Sequence, residues 1–252
     1  MTEFMIETQN LTKRFGDLVA VDGLSIRVKA GTIHGFIGPN GAGKTTTMKM
    51  LIGALHPSGG SGTIGGFRMG SLGARKLLGF SPEHPKFYDG MKAMEYLVYM
   101  GRVSGLGFGD ARKRSEELLR WLDLWEFSSK KVGGFSAGMR QKLSLAQAMI
   151  HEPRLLILDE PTANLDPASL RAVEAFIRAQ EDTVVVVTQD LAFAARTCGR
   201  IVALDEGRVA LDGPLDGILN RPAELERLGI DFSRPCDLCE KIREAAKSHG
   251  RN

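Results

Sequence analysis

Nine consecutive residues, Gly38-Pro39-Asn40-Gly41-Ala42-Gly43-Lys44-Thr45-Thr46, carry the types and spacing of a phosphate loop. Gly38, Gly43, Lys44 and Thr45 fill the defined positions of G-x-x-x-x-G-K-[ST]. Glycines let a backbone wrap close to a polyphosphate, so that successive N–H groups point inward as a nest for an anion. A helix that opens as the loop ends aims its unpaired N–H groups and positive dipole end at the same phosphates. Lys44 is placed to reach the β- and γ-phosphates, and the Thr45 hydroxyl to ligate Mg²⁺. The flanks agree, since His34-Gly35-Phe36-Ile37 is short and β-compatible and residues 46–52 have helical spacing. The pattern predicts a nucleoside triphosphate site.

Three further groups of residues could serve such a site. Leu155-Leu156-Ile157-Leu158 is a fully apolar run ending in Asp159-Glu160-Pro161. A central parallel strand there would place both acids at its carboxyl end, beside the phosphate loop. Asp159 could hold Mg²⁺ directly or through water, and Glu160 could orient or deprotonate a water aimed at the γ-phosphate. Ser136 stands at the N-cap of a predicted helix whose apolar face includes Leu143, Leu145, Ala146 and Met149. Gly138, at the second helical position, costs stability and implies close backbone approach. This segment reads either as a capped helix or as a second anion site. Phe15, in Thr12-Lys13-Arg14-Phe15-Gly16, reads either as a platform for a nucleotide base or as ordinary packing.

The elements that must position these groups follow from periodicity and turn residues. Residues Ile6 to Val28 hold β-rich pieces broken at Gly16-Asp17 and Asp22-Gly23, which predicts a small antiparallel sheet. Pro57 to Gly70 reads as a hairpin or loop, and Leu77 to Phe80 as a short buried strand stopped by Pro82 and Pro85. From Lys92 to Trp125 the chain turns helical. Met94, Leu97, Val98 and Gly101 share one face, and Leu118, Leu119, Leu122 and Leu124 another. Asp110 is the predicted N-cap of the second helix, after a flexible Gly105–Gly109 connection. Thr183–Thr188 and Arg200–Leu204 read as strands around a helix at Leu191–Thr197. A turn at Glu206-Gly207 leads into Arg208–Leu211. The expected fold class is α/β: a phosphate-loop NTPase core with a mostly parallel sheet, an N-terminal antiparallel β subdomain and an inserted α-helical subdomain. Residues 1–85 and 151–220 are expected to form the core with its β subdomain, residues 86–150 the helical subdomain, and residues 221–252 a tail. Short helices are expected in that tail at Ala223–Leu228 and Cys239–Ala246.

Composition narrows the function classes. The chain has 252 residues, 25% of them charged, and a formal net charge of +3. That small excess argues against a dedicated nucleic-acid binder. No apolar run approaches the roughly 18 residues of a membrane span, and the first residues lack the layout of a secretion signal. Any membrane role therefore requires a partner that spans it. The three cysteines, Cys198, Cys236 and Cys239, fit a reducing compartment. The last two form a lone C-x-x-C, read either as a metal or redox site or as two free thiols.

In order along the chain, GPNGAGKTT at 38–46, FSAGMRQ at 135–141, LLILDEP at 155–161 and ANLD at 163–166 resemble the nucleotide-binding subunit of ABC transporters. The resemblance runs to about Gly217, and its wording is similar to the branch serving drug, sodium or lipid exporters. It implies ATP and Mg²⁺ as cofactors. Pro39, Asn40, Gly41, Ala42 and the rest of the loop through Thr46 would cradle the phosphates, Asp159 would complete the metal site, and Glu160 would be the catalytic base. Ser136 and Gly138 would act on nucleotide held by an opposing subunit, Asp166 would lie in the loop crossing that interface, and Phe15 would stack on the base.

Three departures from the family's usual pattern stand out. The signature reads Phe-Ser-Ala-Gly-Met. Glu83 stands where glutamine is usual, in the loop that senses nucleotide and faces the membrane partner, and would add a carboxylate near the metal. Gln189 stands where the switch histidine is usual; it can donate an amide hydrogen bond to the γ-phosphate but cannot carry a proton. The implied function is an ATPase subunit that powers a separate transmembrane permease through ATP-driven dimer closure, as a homodimer or with a second ATP-binding subunit. It would sit at the cytoplasmic face of the cell membrane through that permease, with no nucleic-acid partner. The alternatives are a non-transport ABC ATPase acting on ribosomes or nucleic acid, and a weakly hydrolysing ATP switch.

Overall fold

The computed structural model describes residues 2–163 and 165–229. Cys236, Cys239 and the expected helix at Cys239–Ala246 lie outside the described residues. The fold falls into two compact units. One is the chain through Arg75 together with Thr183 onward; the other is Lys76–Asp182.

The first unit opens with β1 (Phe4–Phe15), β2 (Leu18–Leu24) and β3 (Arg27–Lys29). It continues with β4 (Ile33–Ile37), α1 (Lys44–Leu51), β5 (Gly59–Ile64), β6 (Phe67–Arg68) and α2 (Leu72–Lys76), which ends at the boundary. β1 pairs antiparallel with β2, β3 and β5, and β5 pairs antiparallel with β6, which makes the expected small antiparallel sheet. Two-residue loops set its registers. Phe15 faces Leu18 across Gly16-Asp17, and Ile64 faces Phe67 across Gly65-Gly66.

The second unit holds β7 (Leu78–Ser81), α3 (Ala93–Val103), α4 (Phe108–Trp121), α5 (Ala137–Met149), β8 (Leu155–Asp159) and α6 (Pro167–Arg178). β7 and β8 run parallel, and β8 is buried at every position, as its unbroken apolar run requires. α4 buries Ala111, Ser115, Leu118 and Leu119, a single helical stripe. The Ser115 hydroxyl donates to the Ala111 carbonyl at 2.6 Å, so the one polar group on that stripe is satisfied.

Two sequence expectations are corrected here. Gly107, not Asp110, is the N-cap of α4, and Asp110 lies inside the first turn. The Gly105–Gly109 connection is therefore shorter than its glycines suggested, and the Asp110 carboxylate acts on the helix dipole instead of capping it. On α3 the fully buried residues are Ala93, Tyr96, Leu97 and Gly101, while Met94 and Val98 are only half-buried. Tyr96 enters the core because its hydroxyl donates to Gln147 Oε1 at 2.5 Å and its ring meets Phe87 edge-on at 5.2 Å.

The chain then returns to the first unit with β9 (Thr183–Thr188), α7 (Leu191–Thr197), β10 (Arg200–Asp205) and β11 (Arg208–Pro214), and the last described elements are α8 (Leu215–Leu219) and α9 (Pro222–Arg227). Here β4 lies between β10 and β9, parallel to both, and β11 returns antiparallel on β10. All six residues of β9 are buried, and its four valines fit a strand covered on both faces. No helix among the described residues is long and apolar enough to cross a membrane.

His34, on β4, is 1% exposed. Burial, with the Arg200 guanidinium alongside, holds its imidazole down to about 4, from an ordinary 6.5. The unfolded chain therefore takes up a proton that the folded chain refuses between those values. Stability from this residue is present above pH 6.5 and is lost as pH falls towards 4. Burial lowers His151 in the other unit in the same direction. Urea midpoints measured from pH 7 to pH 4 should fall steadily, and His34→Phe should flatten its share of the slope while the His151 share remains.

Candidate functional site

In the first unit, β4 delivers the chain into the phosphate loop. Gly38, Gly41 and Gly43 have φ of 151°, 84° and 94°, a region that side chains with a Cβ rarely enter. Space excludes a Cβ as well. At Gly38 it would strike the Leu204 carbonyl, and at Gly43 it would come within 2.6 Å of the Ala20 carbonyl. The loop is braced from outside itself, since the Gly207 N–H donates to the Ala42 carbonyl at 3.2 Å. The Asp22 N–H in turn donates to the Gly207 carbonyl at 2.9 Å, and Arg208 Nε reaches Asp22 Oδ2 at 3.0 Å. Sequence reading saw Glu206-Gly207 only as a turn. Its part in bracing the loop depends on a contact some 165 residues away.

Lys44 is 7% exposed, and its ammonium donates to the Gly38 carbonyl at 2.7 Å and the Pro39 carbonyl at 3.0 Å. Its charge is thus already folded over the mouth of the nest. α1 has Gly43 as N-cap, no side-chain cap and no acid in its first turn. The Thr47 N–H is the first to bond back, to the Gly43 carbonyl at 2.9 Å. The N–H groups of Lys44, Thr45 and Thr46 precede that bond and are positioned for an anion. The Thr45 side chain is exposed, Thr46 is half-buried, and Asn40 and Gly41 are exposed at the loop tip.

Two more predicted residues lie in this unit. Phe15 ends β1 and is 48% exposed, with Lys13 Nζ 5.0 Å from its ring centroid. An aromatic that open is not core packing, and β2, which follows it, carries the Ala20 carbonyl that abuts Gly43. Gln189 follows β9, whose last residue Thr188 pairs with Ile37. The exposed Gln189 therefore leaves the sheet at the same edge as the phosphate loop. The Thr188 hydroxyl accepts from the Asp190 N–H at 3.0 Å, and Asp190 caps α7 through the Phe193 N–H at 2.9 Å, which fixes the backbone on both sides of Gln189.

The second unit carries the acids and the signature segment. Asp159 ends β8 and is 7% exposed. Glu160 follows with φ 43°, a left-handed conformation that costs a non-glycine residue on the order of 1 kcal/mol. Glu83 leaves the parallel neighbour β7, where Ser81 pairs with Leu158, so all three carboxylates emerge at one strand edge. Glu83 is exposed and lies 3.6 Å from His84 Nε2. Carboxylate oxygens of this kind suit a hard cation such as Mg²⁺. Among the described residues no cluster of three or more His, Cys, Asp or Glu forms a self-contained metal site.

Ser136 caps α5, its Oγ accepting the Met139 N–H at 3.3 Å, and its side chain is exposed. The close approach expected at Gly138 is found. A Cβ there would strike Ser169 Oγ and come within 3.5 Å of Asp166 Oδ2. Asp166 caps α6, accepting from Ala168 N at 3.0 Å, Ser169 N at 3.1 Å and Ser169 Oγ at 2.6 Å. Those hydrogen bonds, led by the Ser169 hydroxyl, lower its pKa below the ordinary carboxylate value. The structure thus brings Gly138 and Asp166 together. Sequence reading missed an aromatic group nearby in the chain. Tyr88 (59% exposed) and Tyr99 (44% exposed) meet edge-on at 5.9 Å, and Arg140 stacks over Phe87 at 5.2 Å while pairing with Asp89 at 3.0 Å.

Comparison with known proteins gives a consistent answer. Residues 21–163 match the family model described as ABC transporter. The Nod factor export ATP-binding protein I of Burkholderia lata is 34% identical over 247 residues, covering 96% of this chain and 81% of that protein. The daunorubicin/doxorubicin resistance ATP-binding protein DrrA of Streptomyces peucetius is 38% identical over 213 residues, covering 82% of this chain and 64% of that protein. A solved ATP-binding subunit of an ABC transporter superposes with a TM-score of 0.79 at 30% identity, covering 96% of this chain and 99% of that one. With a phosphate loop, an acid-ended strand and a capped signature helix all in place, this chain belongs to the ABC transporter family as an ATP-binding, ATP-hydrolysing subunit.

Proposed function

We propose that this chain hydrolyses Mg²⁺-bound ATP at a site completed by a second ATP-binding subunit, and that closure of the pair drives a separate membrane-spanning permease. The observation that carries the reading is the phosphate loop, whose glycine conformations, Lys44 ammonium and open α1 N-terminus suit a polyphosphate. The related export proteins named above support transport as the task. The peripheral place at the cytoplasmic face of the membrane follows from a partner that does the spanning.

Each residue then has a task. The loop from Gly38 to Thr46 binds the phosphates, Lys44 exchanges its carbonyl partners for β- and γ-phosphate oxygens, and Phe15 stacks on the base. Thr45, Asp159 and Glu83 would hold Mg²⁺, which would supply charge neutralisation to the phosphates. Glu160 orients the attacking water and accepts its proton as the bond from the γ-phosphorus to the ADP oxygen breaks. Gln189 donates its amide N–H to the γ-phosphate. Ser136 and the α5 N-terminus address the nucleotide on the opposing subunit, with Asp166 at the crossing loop. A structure of another ATP-binding cassette, 24% identical with a TM-score of 0.74, is dimeric and bound to ADP and Pi; that likeness speaks for the shared fold.

The exposed Tyr88–Tyr99 pair marks where the permease docks. It follows the Glu83 segment in the same unit, and two half-exposed aromatic rings side by side suit a buried interface better than water.

Three outcomes test this reading. Turnover per molecule should rise with protein concentration and fall about 100-fold or more in Glu160→Gln, with ATP binding retained; a flat, negligible rate despite tight binding would favour the switch reading. Gln189→His should raise the rate and introduce a dependence on pH between 6 and 8; equal rates and profiles would remove Gln189 from the γ-phosphate. Tyr99→Arg should leave basal turnover within about twofold while abolishing most of the stimulation by the permease, since a charge in the centre of an interface costs several kcal/mol.

A further inference from the structure

At the start of β4, remote from the phosphate loop, the first unit holds a half-open cavity of about 920 Å³. Phe4, Ile26, Ile33 and Pro214 give it apolar walls. Its charged lining is Arg27, Lys29 and Arg200 against Glu7 and Asp212, an excess of one positive charge. Arg200 is held by Asp212 at 2.8 Å, and Arg27 lies 3.6 Å from Glu7 and over the Phe4 ring at 5.5 Å. The Lys29 ammonium makes no ion pair among the described residues, so the excess charge resides on it. His34 also lines the cavity.

A pocket whose accessible lining is mostly apolar, with its charged side chains paired except for one cation, suits a small molecule that is apolar at one end and anionic at the other. We propose that this cavity binds a small amphipathic organic anion, its aromatic or branched body against Phe4, Ile26 and Ile33 and its carboxylate or sulfonate at Lys29. The site is separate from the nucleotide. β4 begins at the cavity with Ile33 and ends at the phosphate loop after Ile37, so the two are roughly 13 Å apart along the strand.

The test uses the full chain and 1-anilinonaphthalene-8-sulfonate, an aromatic sulfonate whose fluorescence rises in apolar surroundings. Titration should give a saturable, one-to-one signal that persists when a non-hydrolysable ATP analogue saturates the phosphate loop. Affinity should weaken at least about tenfold in Gln9→Trp, which fills the cavity from β1, and in Lys29→Glu, which reverses the charge excess. Circular dichroism establishes that each variant is folded, and either folded variant decides alone. Displacement of the probe by the analogue, unchanged affinity in a folded variant, or no saturable signal overturns the site.

Discussion

A backbone that turns its N–H groups towards a polyanion gives up hydrogen bonds it would otherwise make, and something else must hold it open. That constraint organises the first unit. The loop from Gly38 to Gly43 has little regular bonding of its own, so the Gly207 N–H and the Lys44 ammonium hold it, while the Leu204 and Ala20 carbonyls leave no room for a side chain at Gly38 or Gly43. Each contributor is fixed in turn: Gly207 by the β10–β11 hairpin and by Asp22, Leu204 by β10, Ala20 by β2. The strand that delivers the loop is paired on both edges, with β10 and β9. Such preorganisation means that nucleotide binding need not first order the loop.

The second unit solves a different problem, that of presenting carboxylates together at a strand end. Asp159 is nearly buried, and Glu160 sits in a conformation that its residue type disfavours. Both features are tolerated because β8 is locked beside β7 and the following turn is closed by the bond from Ala163 N to Glu160 O at 3.1 Å. Asp166 shows the same economy. Its two oxygens satisfy three donors at the start of α6, and that tight cap is what leaves room only for glycine at position 138. Two of the three departures from the family's usual pattern change charge: Glu83 adds a carboxylate at an acidic strand end, and Gln189 stands in place of a titratable ring.

The sequence by itself determined the features governed by local rules. The phosphate loop is a contiguous pattern, and the runs at β4, β8 and β9 are apolar because both faces of a parallel strand are covered. The turns at Gly16-Asp17 and Glu206-Gly207 follow from Gly16 and Gly207, which take positive φ without a side-chain clash. Ser136 as an N-cap needed only its own helix. Order along the chain, read against a known family, supplied the roles that spacing could not.

Only the tertiary structure decided what depends on distant neighbours. α4 begins at Phe108 because its capping residue is Gly107, a position that competes with Asp110 in sequence and wins in context. Tyr96 is buried because Gln147, some fifty residues on, accepts its hydroxyl. Gly138 is required by Ser169, and the phosphate loop is braced by Gly207; neither pairing leaves a trace in local spacing. The cavity beside His34 is likewise assembled from β1, β3, β4, β10 and β11, strands far apart in the chain. Periodicity and turn chemistry are properties of neighbouring residues, whereas bracing, exclusion and enclosure are properties of surfaces that meet only once the chain has folded.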